Sequence, residues 1–308
     1  MEQVERPRVL VIAGFDQSGG AGILSDIKTL EAHGVYGYAV CTGMTWQNER
    51  VITRVEWYTE KEIFEQIDLC MESGGNSEGI ASAMGGGMQP GNGGMDGVEG
   101  SEGHETADES GRDEVDGRSG KGGGFEYVKI GIGRSIGMIG AIVRHLRDHN
   151  PAVRIVLDPV IRASSGVHFW EGMDPEGFEA LAAQCYLLTP NWEEMGWLYP
   201  GQDIGDCCRR LSASCNLYLK GGHHPLHPGR DYLWAGGGME VLESAVDGQE
   251  VYPKHGSGCV LSSALAANLS LGYSLPVAAP RSKRYIERFL TSNKTLLGWH
   301  RSPEDFIF

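Results

Sequence analysis

VLVIAGFDQSGGAGILSDIKTL, Val9 to Leu30, is the stretch whose reading decides the fold. Val9 to Ala13 is an unbroken apolar, β-branched run, the composition of a strand buried on both faces. Gly14 closes it. The tract Gly14-Phe15-Asp16-Gln17-Ser18-Gly19-Gly20-Ala21-Gly22 then leads into Ile23, Leu24, Ile27 and Leu30 at helical spacing, up to a stop signal at Gly34. Strand, glycine-rich turn and amphipathic helix together are the opening of a parallel crossover.

Working outward, the same alternation repeats. Strands are expected at Gly37 to Met44, Tyr127 to Ile130, Ala152 to Leu157, Tyr186 to Leu188 and Asn216 to Leu219. Helices are expected at Lys61 to Met71, Ile136 to Leu146, Phe178 to Cys185 and Val260 to Leu271. Such a pattern builds an open, mostly parallel α/β sheet with helices on both faces, and ligands in these folds bind at the carboxyl ends of the strands. Residues 73–124 break the rhythm. They are dominated by Gly, Ser, Asp, Glu and Asn, too few apolar groups to offset the entropy of ordering, and read as a disordered acidic insertion. Alternation resumes unchanged after it, so one domain is expected over residues 1–308.

Composition narrows the function. A net charge of -15 over 308 residues, with no dense Lys/Arg patch, excludes a broad nucleic-acid-binding face, so anionic ligands must be held locally. The seven cysteines form no CxxC pair and no zinc-spaced Cys/His pattern, which fits reduced thiols in a cytoplasmic protein. No run of apolar residues reaches bilayer-spanning length, and the N-terminus has no signal-peptide pattern; a soluble, unexported chain is expected.

Three glycine-rich turns are candidates for phosphate chemistry. The first, Gly14 to Gly22, matches neither GxGxxG nor the P-loop pattern, although its glycines admit close backbone approach and Asp16 and Ser18 can bond or cap it. Gly131-Ile132-Gly133 has Gly137 one residue late, and its nominal acidic partner Asp148 lies in a helical tail, so a dinucleotide fingerprint is rejected. The strongest is Lys254-His255-Gly256-Ser257-Gly258-Cys259 at the start of an apolar helix. Consecutive backbone N–H groups there form an anion hole, and the helix field favours a thiolate at Cys259, a candidate general base.

HGSGC resembles the HGTGC signature of the hydroxymethylpyrimidine and phosphomethylpyrimidine kinases, a branch of the ribokinase-like superfamily. AGFDQSGGAGILSDIKT, VYGYAVCTGMTWQN, VKIG, VLDPVIRASSG, LLTPNWEE and LYLKGGH resemble further blocks of that branch, in the same order, from Val9 to about His300 apart from the insertion. The resemblance implies a three-layer ribokinase-like fold and an ATP- and Mg²⁺-dependent kinase acting on a thiamine-precursor pyrimidine and its monophosphate, and it suggests a homodimer.

It also implies roles for particular residues. Asp26 and Gln47 would bind the pyrimidine, whose donor and acceptor edge a carboxylate and an amide can match, and Gly14 would bring backbone close to it. Asp158 and Glu194 would organise Mg²⁺, with Asn191 and Glu194 on the nucleotide side and Lys220 reaching the ATP phosphates. The amides of Gly256, Ser257, Gly258 and Cys259 would receive the developing negative charge. Lys129 would stabilise the sheet end or a nearby carboxylate, or serve as plain core; Trp46 would stack on the ligand ring or fill core. Phe15 stands where the family has Ser or Thr, beside the pocket, and Ser257 replaces Thr. Two rivals remain: a pyridoxal kinase of the same branch, disfavoured by Gln47, and a non-catalytic pyrimidine- or nucleotide-binding protein, disfavoured by the joint presence of Asp158, Glu194, Lys220 and Cys259. Residues 201–214, with Cys207 and Cys208, match no motif and read as a solvated helix packing by its apolar edge.

Overall fold

A computed structural model of the chain describes residues 6–72, 124–163, 166–170, 174–246 and 250–300. The insertion expected to be disordered at 73–124 therefore lies, apart from Gly124, outside the described residues.

The first strand, β1 (Arg8–Phe15), has Val9, Val11 and Ala13 in one hydrophobic cluster and Leu10 and Ile12 in another, all essentially without solvent exposure. This is why its sequence is a continuous apolar run instead of an alternating one. Helix α1 (Gly22–Ala32) follows and returns to β2 (Tyr36–Gln47), which pairs parallel with β1. β3 (Ile52–Trp57) folds back antiparallel on β2, and α2 (Glu60–Glu72) comes next. β4 (Tyr127–Ile130) then pairs parallel with β1 on its other side. The chain continues through α3 (Ile136–His149), β5 (Arg154–Leu157), α4 (Pro175–Ala182), β6 (Leu187–Leu188), α5 (Trp192–Leu198), α6 (Ile204–Leu211) and β7 (Asn216–Leu219). The hairpin of β8 (Asp231–Ala235) and β9 (Gly238–Leu242) precedes α7 (Ser257–Ser270) and α8 (Leu275–Thr291).

Among the described residues the strands form one nine-stranded sheet in the order β3-β2-β1-β4-β5-β6-β7-β8-β9. From β2 to β7 the pairing is parallel, and antiparallel strands flank this block at both ends. Because β2 and β4 lie on opposite sides of β1, the crossovers through α1 and α3 run in opposite directions, and in such sheets the carboxyl ends of the strands around this reversal are where ligands bind. Side chains of α1, α7 and α8 fill the core on one face; those of α2 to α6 fill it on the other.

The antiparallel edges and α8 were not legible as elements in the sequence. β3 carries alternating charged residues with a half-exposed face, and β9 is largely exposed, so neither shows the dense apolar signature of a central strand. α8 contains Pro280 in its interior, a local breaker, yet Leu275, Ala278, Ala279, Ile286 and Phe289 are buried in the layer it shares with α7. Packing overrides propensity there. The helix expected within 201–214 is α6, and it does pack by one edge, burying Cys207, Cys208 and Leu211.

Candidate active site

The glycine-rich turn after β1 is folded around a carboxylate. Asp16 accepts hydrogen bonds from the Ser18 amide (2.9 Å), the Ser18 hydroxyl (2.9 Å) and the Ala21 amide (2.8 Å). His255 Nε2 lies 2.9 Å from Asp16 Oδ2, tying this turn to the residues that open α7. Burial by itself raises the Asp16 carboxyl, but the His255 and Ser18 hydrogen bonds outweigh it and hold the group below its ordinary value.

Gly256 caps α7 in the left-handed region, with φ 71°, and a Cβ there would stand 2.1 Å from the Gly20 carbonyl oxygen. Only glycine lets the two glycine-rich segments touch. The first helical hydrogen bond joins the Val260 amide to Gly256 O at 3.0 Å. The amides of Ser257, Gly258 and Cys259 precede it and have no acceptor within the helix. From Val260 to Leu269 every residue of α7 is buried, so the helix is fixed as a central rod with its positive end at the sheet's carboxyl edge.

Two buried ion pairs lie at that end of α7. Lys220, directly after β7, places Nζ 2.7 Å from Asp158 Oδ1 and 3.9 Å from Glu194 Oε2. Asp158 also accepts from Thr189 Oγ1 (3.3 Å) and from Ser262 Oγ (3.2 Å). A Cβ on Gly258 would lie 3.1 Å from Lys220 Nζ and 3.8 Å from Asp158 Oδ2, so the first turn of α7 packs directly against this cluster. The second pair joins Lys129 Nζ to Asp26 Oδ2 at 2.7 Å, while Ser263 Oγ donates to Asp26 Oδ1 at 2.7 Å.

Asn191 and Glu194 form a capping box at the start of α5. The Asn191 side chain accepts from the Glu194 amide at 2.8 Å, and Glu194 accepts from the Asn191 amide at 2.7 Å. One geometry thus both caps the helix and points a buried carboxylate at Lys220. Burial raises the Glu194 carboxyl to about 7, with Lys220 opposing and Asp158 adding to the shift.

Several expectations change. Asp26 has no solvent exposure and both of its carboxylate oxygens are engaged inside the protein, so it does not present a free edge to a pyrimidine. Lys129 is its partner, which selects the carboxylate-stabilising role from the two open for that lysine. Cys259 is not favoured as a thiolate: burial pushes the half-buried thiol up to about 11, with the Lys129 charge opposing. Trp46 does not fill core. It is 37% exposed and the Arg54 guanidinium lies 4.3 Å from its ring centroid.

Gln47 stands at the end of β2, half-buried and beyond the last residue of β1, since Phe15 is paired with Met44. Its backbone N–H donates to Gln17 Oε1 at 3.3 Å. Phe15 is half-buried at the end of β1, and its carbonyl accepts from Thr45 Oγ1 at 2.7 Å. Gly14 packs against Ile132, whose Cδ1 would be 2.3 Å from an added Cβ. The structure therefore brings Asp158, Glu194, Lys220 and the 256–259 amides into one cluster, with Asn191 holding Glu194, and sets Gly14 and Gln47 at the adjacent strand ends.

Sequence reasoning missed Thr189, His255, Ser262 and Ser263 as site components. A signal existed for the two serines: Cys259, Ser262 and Ser263 fall at i, i+3 and i+4, a small polar stripe on an otherwise apolar helix.

The sequence profile of the family described as phosphomethylpyrimidine kinase matches residues 16–76 and 121–303, well over half of the chain. The chain belongs to the phosphomethylpyrimidine kinase family. Among family relatives, the hydroxymethylpyrimidine/phosphomethylpyrimidine kinase of Rhizobium meliloti is 28% identical, over 96% of this chain and 94% of its own length. The chloroplastic thiamine biosynthetic bifunctional enzyme of Arabidopsis thaliana is 26% identical over 98% of this chain. This chain spans about half the length of that bifunctional relative, 50%. A crystal structure of phosphomethylpyrimidine kinase from Clostridium difficile is similar with a TM-score of 0.63 and 27% identity, covering 91% of this chain and 98% of that one. The pyridoxal kinase of Staphylococcus aureus, in complex with AMP-PCP and pyridoxal, shares the fold at TM-score 0.68 and 18% identity, over 98% of this chain and 96% of its own. The kinase fold is thus ribokinase-like, as the motif order implies. Among the described residues, no helix is long and apolar enough to cross a membrane.

Proposed function

We propose that this chain transfers the γ-phosphoryl group of ATP to the hydroxymethyl oxygen of 4-amino-5-hydroxymethyl-2-methylpyrimidine, and then phosphorylates the resulting monophosphate. The observation that carries this reading is the packing of the Lys220–Asp158–Glu194 cluster against the amide end of α7, with Gly258 in direct reach of Lys220. A fixed ammonium, two buried carboxylates and a set of free amides on one small surface are the parts that phosphoryl transfer requires.

The donor set fits Mg²⁺, which takes hard oxygen ligands and keeps several waters. Asp158 and Glu194 would hold it; both already accept protein hydrogen bonds, which suits ligation through water. When bound, the ion neutralises phosphate charge. Lys220 binds the transferred group, and the amides of Ser257, Gly258 and Cys259 receive charge as the bond from phosphorus to the ADP oxygen breaks and the bond to the substrate oxygen forms. Little base catalysis is needed in a loose transition state. Cys259, a neutral thiol within reach of the Gly22 amide, positions the substrate hydroxyl, whose proton passes late in the transfer to an oxygen of the transferred phosphoryl group. Gly14 and Gln47 line the pyrimidine side. Asp26 acts at one remove, by tying Lys129 to Ser263 of α7. The reading also includes a soluble cytoplasmic homodimer, to be checked by light scattering and fractionation.

A paired assay tests the activity. Purified chain with Mg²⁺ and ATP should consume ATP with the pyrimidine alcohol and with its monophosphate, at higher kcat/KM than with pyridoxal. A preference for pyridoxal would replace the pyrimidine, and no turnover with any of the three would leave a binding protein.

A further inference from the structure

Away from the phosphoryl site, in the layer that α2 to α6 form, α2 and α3 bring two imidazoles and a carboxylate to one point. We propose that Asp68, His145 and His149 form a binding site for a divalent transition-metal ion of the zinc class, which pins α2 to α3. His145 and His149 are one helical turn apart on α3, the i,i+4 spacing that turns two imidazoles toward a single ion. Asp68 of α2 meets both: its Oδ1 lies 2.6 Å from His145 Nε2 and 2.8 Å from His149 Nε2. The three ligand atoms all lie within 4.8 Å of one another, and no ion is present.

The ring of His145 is already oriented. It stacks on Phe64 of α2 with centroids 4.2 Å apart and planes 9° from parallel, which aims Nε2 at Asp68. His145 is 21% exposed, His149 36% and Asp68 44%, so an ion can enter from solvent and keep water as a fourth ligand. Tetrahedral zinc with bonds of about 2.0–2.1 Å separates its ligand atoms by about 3.3 Å. The two Asp68 contacts, at 2.6 and 2.8 Å, need to open by about 0.5–0.7 Å to reach that spacing, within reach of a rotation of the exposed Asp68 side chain. Two neutral imidazoles and one carboxylate suit zinc better than Mg²⁺, which prefers oxygen. The ion would bridge the helices that precede and follow residues 73–123, stabilising that junction without touching the kinase chemistry.

The test uses Zn²⁺ titration of metal-stripped full-length protein by calorimetry, together with thermal melts. The expected result is one Zn²⁺ per chain, a raised melting temperature, and an affinity weakened by more than about tenfold in Asp68→Asn and in His149→Ala, since even outer-shell changes at metal sites cost that much. Without zinc, both variants should melt like the parent and retain its ATP turnover, which shows that they fold; His149→Gln provides a second, less disruptive change. Absence of zinc binding at micromolar ion would overturn the proposal. So would binding unchanged in the variants, which would assign the ion to the Asp158–Glu194 cluster or to the thiols.

Discussion

Lys129 Nζ stands 2.7 Å from Asp26 Oδ2, and neither side chain has any exposure to solvent. A charge pair so deeply buried is held by its geometry: removing one partner leaves the other uncompensated, a loss of about 3–5 kcal/mol. Lys129→Met or Asp26→Leu alone should therefore lower the midpoint of urea unfolding sharply. The double variant should regain most of that stability while leaving turnover depressed, because the pair orders the floor of the site. Full recovery of turnover in the double variant would reduce the pair to plain core.

Cys259 distinguishes a base from a positioning group. With its thiol pushed up to about 11, kcat/KM should show no rise attributable to thiolate formation between neutral pH and mild alkali, and alkylation by iodoacetamide should be slow until the pH approaches that value. Cys259→Ala should lower kcat by about 10²-fold through lost positioning. Cys259→Ser should retain more of it. Unchanged kcat in the alanine variant at saturating substrate would remove Cys259 from the chemistry.

Glu194 makes a pH prediction with a definite sign. Its carboxyl rises from 4.5 unfolded to about 7 folded, so between those values the folded chain holds the extra proton, and its contribution to stability falls as pH rises through that window. Glu194→Gln should flatten this part of the stability profile, read as the difference between parent and variant melts from acid to neutral pH. The same variant should lose about 10²–10³-fold in kcat.

Gly256→Ala tests the contact between the two glycine-rich segments. A left-handed φ costs a non-glycine residue about 1–3 kcal/mol, before the collision with Gly20 is counted. Lower thermal stability and loss of ATP turnover should appear together. Gly272→Ala provides the control: it also has positive φ, but an added Cβ meets nothing within 4 Å, so stability should fall while turnover persists.

Gln47→Ala should raise KM for the pyrimidine while leaving KM for ATP unchanged, since Gln47 ends β2 on the far side of β1 from the Lys220 cluster. Equal changes in both constants would point to a fold defect at the strand end.

How much of this was legible in the chain depends on the range of the forces involved. Apolar runs and helical spacing are local, so the central strands and the helices α1, α3 and α7 were readable from residues alone, and ordered motifs carried Asp158, Asn191, Glu194, Lys220 and the HGSGC turn. Edge strands β3 and β9 and the proline-bearing α8 were not, because tertiary packing and pairing, not local preference, stabilise them. The same distinction governs the site. Sequence determined which groups are present; only the fold decided that Asp26 is paired with Lys129 and Ser263 and that burial pushes the Cys259 thiol up. Those outcomes depend on burial and on partners 103 and 237 residues away along the chain, and solvation at that depth has no local signature.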